Sequence, residues 1–187
     1  MKLVLASASP RRRELISLIS QDVICAVSGV DEIIPDSVSV CEIPLCLAEQ
    51  KAKAVAKSYP EDIVIGCDTG VILDNEILGK PKDKEDARRM MQALSGRVHK
   101  VVTGCYLVCK GKSTGFSNVT EVEFYSLSDD EIAEYISTSE PYDKAGGYGI
   151  QGNASLFVKA IKGDYFNVVG LPVAELSRQI KGFEERE

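Results

Sequence analysis

Leu3-Val4-Leu5-Ala6 runs directly into Ser7-Ala8-Ser9-Pro10-Arg11-Arg12-Arg13, and that junction decides the class of the fold. Four apolar residues without alternation read as a short strand buried on both faces. Ser9 is a favoured N-cap and Pro10 suits the first helical position, so a helix should start at once. Leu15, Leu18 and Ile19 would form its apolar face. A buried strand feeding a helix without a linker opens an α/β layer.

The alternation continues outward from this junction. Val23 to Val27 reads as a second strand. Pro44 opens a helix that should reach about Ser58, with Leu47, Lys51 and Val55 on one stripe. A lysine on an apolar stripe either snorkels to solvent or reaches into a site. Ile63 to Cys67 is another continuous apolar run, and the turn-formers Asp68-Thr69-Gly70 should end it. Val71 to Leu73 and Glu76 to Leu78 flank Asp74-Asn75, a hairpin signal. Asp83 caps a helix whose apolar face is Ala87, Met90, Met91 and Leu94, with Gly96 near its end. Val98 to Cys109 and Thr114 to Tyr125 form two longer strands joined at Lys110-Gly111-Lys112. Ser128 and Glu131 make a capping box ahead of Ile132, Tyr135 and Ile136. Leu171-Pro172 precedes a last helix to about Ile180, and Glu184 to Glu187 should fray. The expected fold is therefore α/β, with a mixed central sheet flanked by helices, in one domain over residues 1–187.

Composition narrows the function. A net charge of −6 argues against a general nucleic-acid binder, which would carry a basic surface. Positive charge is nevertheless local, at Arg11-Arg12-Arg13 and at Lys80 with Lys82, which suits a small anionic ligand. The one histidine, His99, rules out a multi-histidine zinc site or an HExxH helix, and a structural role is its first reading. The six cysteines have no CxxC spacing and read as reduced thiols of a cytoplasmic protein. The N-terminal apolar stretch is too short for a signal peptide, and no run approaches a membrane span.

Four stretches carry chemistry. In Ser7 to Arg12, backbone N–H groups at a strand-to-helix turn offer an anion site, and arginines in the first helical turn oppose the dipole until an anion arrives. A capped surface helix with solvated arginines reads the same residues as well. Asp68 follows an apolar strand, where open α/β sheets bind ligands and a carboxylate can hold a metal or activate water. Taken alone it is first a turn aspartate. Lys80 in Gly79-Lys80-Pro81 suits a phosphate, or simply solvent; no GxxxxGK[ST] loop is present. In Glu140 to Gly152 the glycines permit close approach by a ligand, and Gln151 offers both a donor and an acceptor to a base edge; a flexible loop is the plainer reading of the same glycines. Glu32 is a candidate second metal carboxylate or a solvated loop acid.

Together these stretches resemble the Maf family of nucleoside triphosphate pyrophosphatases. Ser7-Ala8-Ser9-Pro10-Arg11-Arg12, Leu47-Ala48-x-x-Lys51-Ala52, Asp68-Thr69, Gly79-Lys80-Pro81, Leu94-Ser95-Gly96-x-x-His99, Thr103-Gly104 and Asp143 to Gly152 match its motifs in order. The resemblance implies a fold related to inosine triphosphate pyrophosphatases, with a cleft between two lobes. The Gly-Tyr-Gly-Ile-Gln-Gly loop resembles that of the dTTP- and UTP-hydrolysing branch, and the resemblance implies an enzyme that uses Mg²⁺ or Mn²⁺. Asp68 would be the proton acceptor, with Glu32 beside the metal. Arg12, Lys51 and Lys80, with Ser7 in the first motif, would meet phosphates, and Arg11, Thr69 and Gln151 would govern nucleotide choice. Gly70 departs from the family, which usually carries an apolar β-branched residue there. The partner expected is a nucleoside triphosphate, with no nucleic-acid polymer and no membrane; a homodimer is compatible with the resemblance alone. Maf relatives are also associated with septum formation, which leaves a non-catalytic, nucleotide-binding division regulator as the alternative.

Overall fold

In the computed structural model, which describes residues 1–184, the opening junction folds as β1 (Leu3–Ala6) and α1 (Pro10–Ile16). Ser9 Oγ accepts the backbone N–H of Arg12 at 3.4 Å, the expected cap. The helix is shorter than its apolar pattern implies. Ser17 turns both its N–H and its hydroxyl onto the Glu14 carbonyl and closes the last turn. Leu15 and Ile16 are the buried face, and Leu18 is left 64% exposed. β2 (Val23–Cys25) is likewise shorter than its apolar run.

Helix α2 (Ile43–Ala56) carries Pro44 in its first turn. Two strand glycines let it approach the sheet closely. A Cβ added at Gly66 would overlap the Ala48 carbonyl oxygen and lie 2.8 Å from Ala52 N, and one added at Gly104 would overlap the Leu45 backbone.

The main correction concerns β3. The sequence predicts a break at Asp68-Thr69-Gly70, yet Ile63–Leu73 is one strand of 11 residues. Pairing from both directions carries it through. β3 runs parallel to β1 as far as Ala6 opposite Gly66, and pairs antiparallel with β4 (Glu76–Leu78) from Val71 onward. Anchored by a ladder at each end, the residues between Gly66 and Val71 stay extended despite the poor strand propensity of Asp and Gly. Asp68 therefore stands within a continuous strand, two residues past the end of the parallel ladder.

Beyond it come α3 (Lys84–Leu94), β5 (Val98–Cys109), β6 (Lys112–Phe124), α4 (Asp129–Ile136), β7 (Val158–Lys162), α5 (Tyr165–Val169) and α6 (Val173–Glu184). The described strands form one mixed sheet in the order β2-β1-β3-β5-β6-β7, with β4 on β3 and β7 antiparallel to β6. Both predicted hairpins have two central residues at positive φ: Asp74 and Asn75 (50° and 65°), and Lys110 and Gly111 (48° and 78°). That is the turn type whose twist matches the flanking strands. β7 is largely exposed and α5 has only five residues, so neither had a readable period. Among the described residues no helix is long and apolar enough to cross a membrane. Glu184 ends α6, and residues 185–187, also expected to fray, lie outside the described residues.

The single domain expected over residues 1–187 packs as two compact units. The first comprises Met1–Asp68, Thr103–Asn118 and the chain from Gly170 onward. Val4, Ala6, Ala52, Val55 and Val64 form one of its buried clusters. The second comprises Thr69–Val102 and Val119–Val169. Its core centres on Met91, Leu94, Phe124, Ile132 and Phe157. Fully burying a side chain such as Phe124 contributes about 1.5–3 kcal/mol.

Candidate active site

In the first unit the predicted residues converge on Asp68. Gly66 and Asp68 lie on the same face of β3, two residues apart. The close approach of α2 at Gly66 brings Lys51, one residue before Ala52, over that face. Lys51 Nζ donates to Asp68 Oδ1 at 2.6 Å and forms an ion pair with Glu32 Oε1 at 2.8 Å. The Lys51 and Asp68 side chains are only 14% and 18% exposed, so the apolar-stripe lysine reaches a site and not solvent. Glu32 comes from an exposed loop, with its side chain 46% exposed. That loop is held by Gln50, which donates to the Ile33 carbonyl at 2.6 Å and accepts the Ile33 N–H at 3.0 Å. Gln50 was not legible as a site residue, since its contact is to a backbone 17 residues away in sequence.

Arg12 is committed to the backbone around Asp68. Its Nε donates to the Gly170 carbonyl and its Nη1 to the Cys67 carbonyl, both at 2.9 Å. Ser7 Oγ accepts from Arg12 Nη1 at 3.5 Å and from the Ser9 N–H at 3.2 Å. The guanidinium thus ties α1 to the residue just before Asp68 and to the start of the C-terminal segment. Arg11 is half-buried on the same turn. Because α1 has only seven residues, an anion here would depend on these arginines and the turn's N–H groups more than on a helix dipole.

Cys67 and Cys105 lie beside this cluster, both fully buried, with Sγ atoms 3.5 Å apart. Burial pushes the Cys105 thiol up. All six cysteines are free thiols, as expected.

The second unit holds Thr69, Lys80 and Gln151. Thr69 follows Asp68 on β3 and is half-buried. Lys80 is exposed, and the residues around it are anchored: Pro81 is buried, and Gly79 accepts the Gly146 N–H at 3.0 Å. That bond joins the lysine turn to the glycine-rich segment. Gly146, at φ 69°, packs so tightly that a Cβ would lie 2.8 Å from Val71 Cβ. Gln151 is exposed in a turn closed by Gly152 N–H to the Gly149 carbonyl at 3.1 Å.

His99 supports this segment from below. It is 2% exposed, its Nε2 lies 2.7 Å from the Tyr148 hydroxyl, and its ring meets Phe124 and Tyr148 edge-on. Burial lowers its pKa to about 4, so the ring is neutral near pH 7 and has a structural role.

No group of three or more His, Cys, Asp or Glu side chains that could hold a metal occurs among the described residues. A Mg²⁺ ion, however, is commonly held by one or two carboxylates together with substrate phosphates. Asp68 and Glu32 fit that description, since both already direct an oxygen at one cation, the Lys51 ammonium.

The model of the Maf-like protein family matches residues 2–183. The chain belongs to the Maf family. Among its Maf relatives, the dTTP/UTP pyrophosphatase of Bacillus cytotoxicus is 50% identical over 183 residues, covering 98% of this chain and 96% of the relative. The dTTP/UTP pyrophosphatase of Bacillus mycoides is 46% identical over the same shares. Among solved structures, the Staphylococcus aureus Ham1 protein aligns over 66% of this chain and 72% of its own with a TM-score of 0.49 and 18% identity, a weak likeness.

Proposed function

We propose that this Maf chain hydrolyses dTTP and UTP to the monophosphate and pyrophosphate, keeping these nucleotides out of the pool where they are unwanted. The observation that carries the reading is the Lys51 ammonium held between Asp68 and Glu32. Two carboxylates and an ammonium within a few ångströms of one another support an acid–base role for Asp68. The substrate class is supported by relatives about half identical over nearly the whole chain that are named dTTP/UTP pyrophosphatases.

Each residue then has a task. Lys51 engages Asp68 Oδ1, which leaves Oδ2 to orient a water and take its proton. The water oxygen bonds to the α-phosphorus in line, the bond from that phosphorus to the bridging oxygen breaks, and pyrophosphate departs with the bonding pair. A Mg²⁺ or Mn²⁺ ion held by Asp68 and Glu32 would supply charge neutralisation on the phosphate oxygens. Lys80, Arg11 and Arg12 add positive charge, and Arg12 is held rigid by its two carbonyls. Ser7 keeps that guanidinium in place. Thr69 and Gln151 meet the nucleoside, with Gln151 pairing to the pyrimidine edge. We place the activity in the cytoplasm, where nucleoside triphosphates are pooled and free thiols persist.

Product analysis of the purified chain with a panel of triphosphates and Mg²⁺ or Mn²⁺ tests this. Monophosphate plus pyrophosphate from dTTP and UTP supports it. Orthophosphate as the product would reassign the bond cleaved, and binding without turnover would reassign the chain as a regulator. Asp68→Asn should abolish turnover with the fold intact; near-normal activity would remove Asp68 from the reaction.

A further inference from the structure

The segment that carries Gln151 is rich in glycine, at 146, 147, 149 and 152. Glycine leaves a backbone many conformations, so the turn's own bond from Gly152 N–H to the Gly149 carbonyl needs support from outside the turn. Two side chains of the preceding stretch do so. Glu140, half-buried, turns its carboxylate inward: Oε2 accepts the Asn153 N–H at 2.8 Å, and Oε1 accepts the Ala154 N–H at 3.4 Å and the Tyr135 hydroxyl at 3.3 Å. Asn153 and Ala154 begin a short 3-10 turn (Asn153–Phe157) that has no side-chain cap of its own. Glu140 therefore caps it from thirteen residues away, with charge-assisted bonds to two N–H groups that a helix start leaves unpaired.

Gly152 closes against this carboxylate so tightly that a Cβ there would overlap it. On the other side of the turn, a Cβ at Gly149 would lie 2.6 Å from Lys144 Cε. Lys144 in turn donates to the Glu140 carbonyl at 2.8 Å. Burial, then the charge of Glu140, pushes the Tyr135 phenol well up, so it remains a donor at any working pH. Gln151 thus sits on a turn gripped on both sides, with its amide exposed.

We propose that Glu140 is a positioning residue for base selection: its carboxylate holds the Gly149–Gly152 turn in the conformation that presents the Gln151 amide to the base. The proposal rests on the reading of Gln151 as the base contact. Glu140 itself touches no substrate. Its removal should loosen one directed hydrogen bond to the base and leave the phosphate chemistry in place.

The test is steady-state kinetics of the full chain with Mg²⁺, comparing UTP with GTP. Glu140→Gln keeps the size but sets an amide against backbone donors. It should raise KM for UTP with little change in kcat, and lower the UTP-over-GTP ratio of kcat/KM five- to tenfold, the size of one hydrogen bond. Gly152→Ala displaces the same carboxylate without altering Glu140, and Gly152, at φ −106°, accepts alanine without backbone strain. It should reproduce the change, and it carries the test if Glu140→Gln fails to fold. Gln151→Ala should lower the ratio by itself, and adding Glu140→Gln to it should lower it no further. If Gln151→Ala lowers the ratio while Glu140→Gln and Gly152→Ala leave it intact, the positioning role is overturned. A further loss in the double variant also overturns it, because Glu140 would then act independently of Gln151. If Gln151→Ala leaves the ratio unchanged, Gln151 is not the base contact, and the proposal falls with that reading.

Discussion

Acidification tests the buried state of His99. Its ring is enclosed by Phe124 and Tyr148, and among the described residues Nδ1 has no hydrogen-bond partner. A second ring proton would add a charge and a donor with no acceptor. The folded pKa is accordingly lowered from 6.5 to about 4, with burial as the cause. Because the folded pKa is depressed, the unfolded chain binds the proton first as pH falls. The neutral ring's contribution is intact above pH 6.5, declines through the window between 6.5 and about 4, and levels off below it. At 1.36 kcal/mol per unit, the loss is about 3 kcal/mol. Tyr148 does not titrate in this window, because burial pushes its phenol up. The assay is urea unfolding of the wild type and of His99→Gln at several pH values between 7 and 4. Carboxylates titrate equally in both proteins, so the difference between the two curves isolates the imidazole. That difference should shrink by about 3 kcal/mol across the window. Parallel curves would refute the argument that burial keeps this ring neutral.

Further outcomes follow from the site and its supports. Lys51→Met removes the cation between Asp68 and Glu32 and should lower kcat by about 10²–10³, as the loss of a preorganised electrostatic group does, measured by pyrophosphate release. Gly66→Ala drives a methyl group into the α2 backbone at Ala48 and should destabilise the fold by about 1–3 kcal/mol or more, seen as a lowered Tm. Arg12→Lys cannot reproduce two directed bonds to Gly170 and Cys67, so kcat/KM should fall by at least about tenfold even though the charge is kept. Chelation of divalent metal should abolish turnover, and added Mg²⁺ or Mn²⁺ should restore it; full activity in excess chelator would remove the metal from the reaction.

Much of this was legible in the chain itself, for local reasons. Ser9-Pro10, Asp83 and Ser128 with Glu131 announce helix starts because a cap is satisfied within three or four residues. Asp74-Asn75 and Gly111 announce hairpins because Asp, Asn and Gly tolerate the positive φ that such turns require. The ordered motifs from Ser7 to Gly152 announce the family.

Tertiary structure decided what depends on distant partners. Asp68 looked like the end of a strand, and pairing with β1 and β4 made it the middle of one. Lys51 could have snorkelled to solvent; the glycine at 66 lets α2 come close enough for it to reach Asp68 and Glu32. Gln50 carried no signal, and Glu140, though it opens the glycine-rich stretch, showed no sign of its capping role, because each acts on backbone groups 17 and 13 residues away in sequence. A cap or a turn is set by neighbours along the chain, and so it can be read from them. An ion pair or a remote clamp exists only after folding has brought its two ends together.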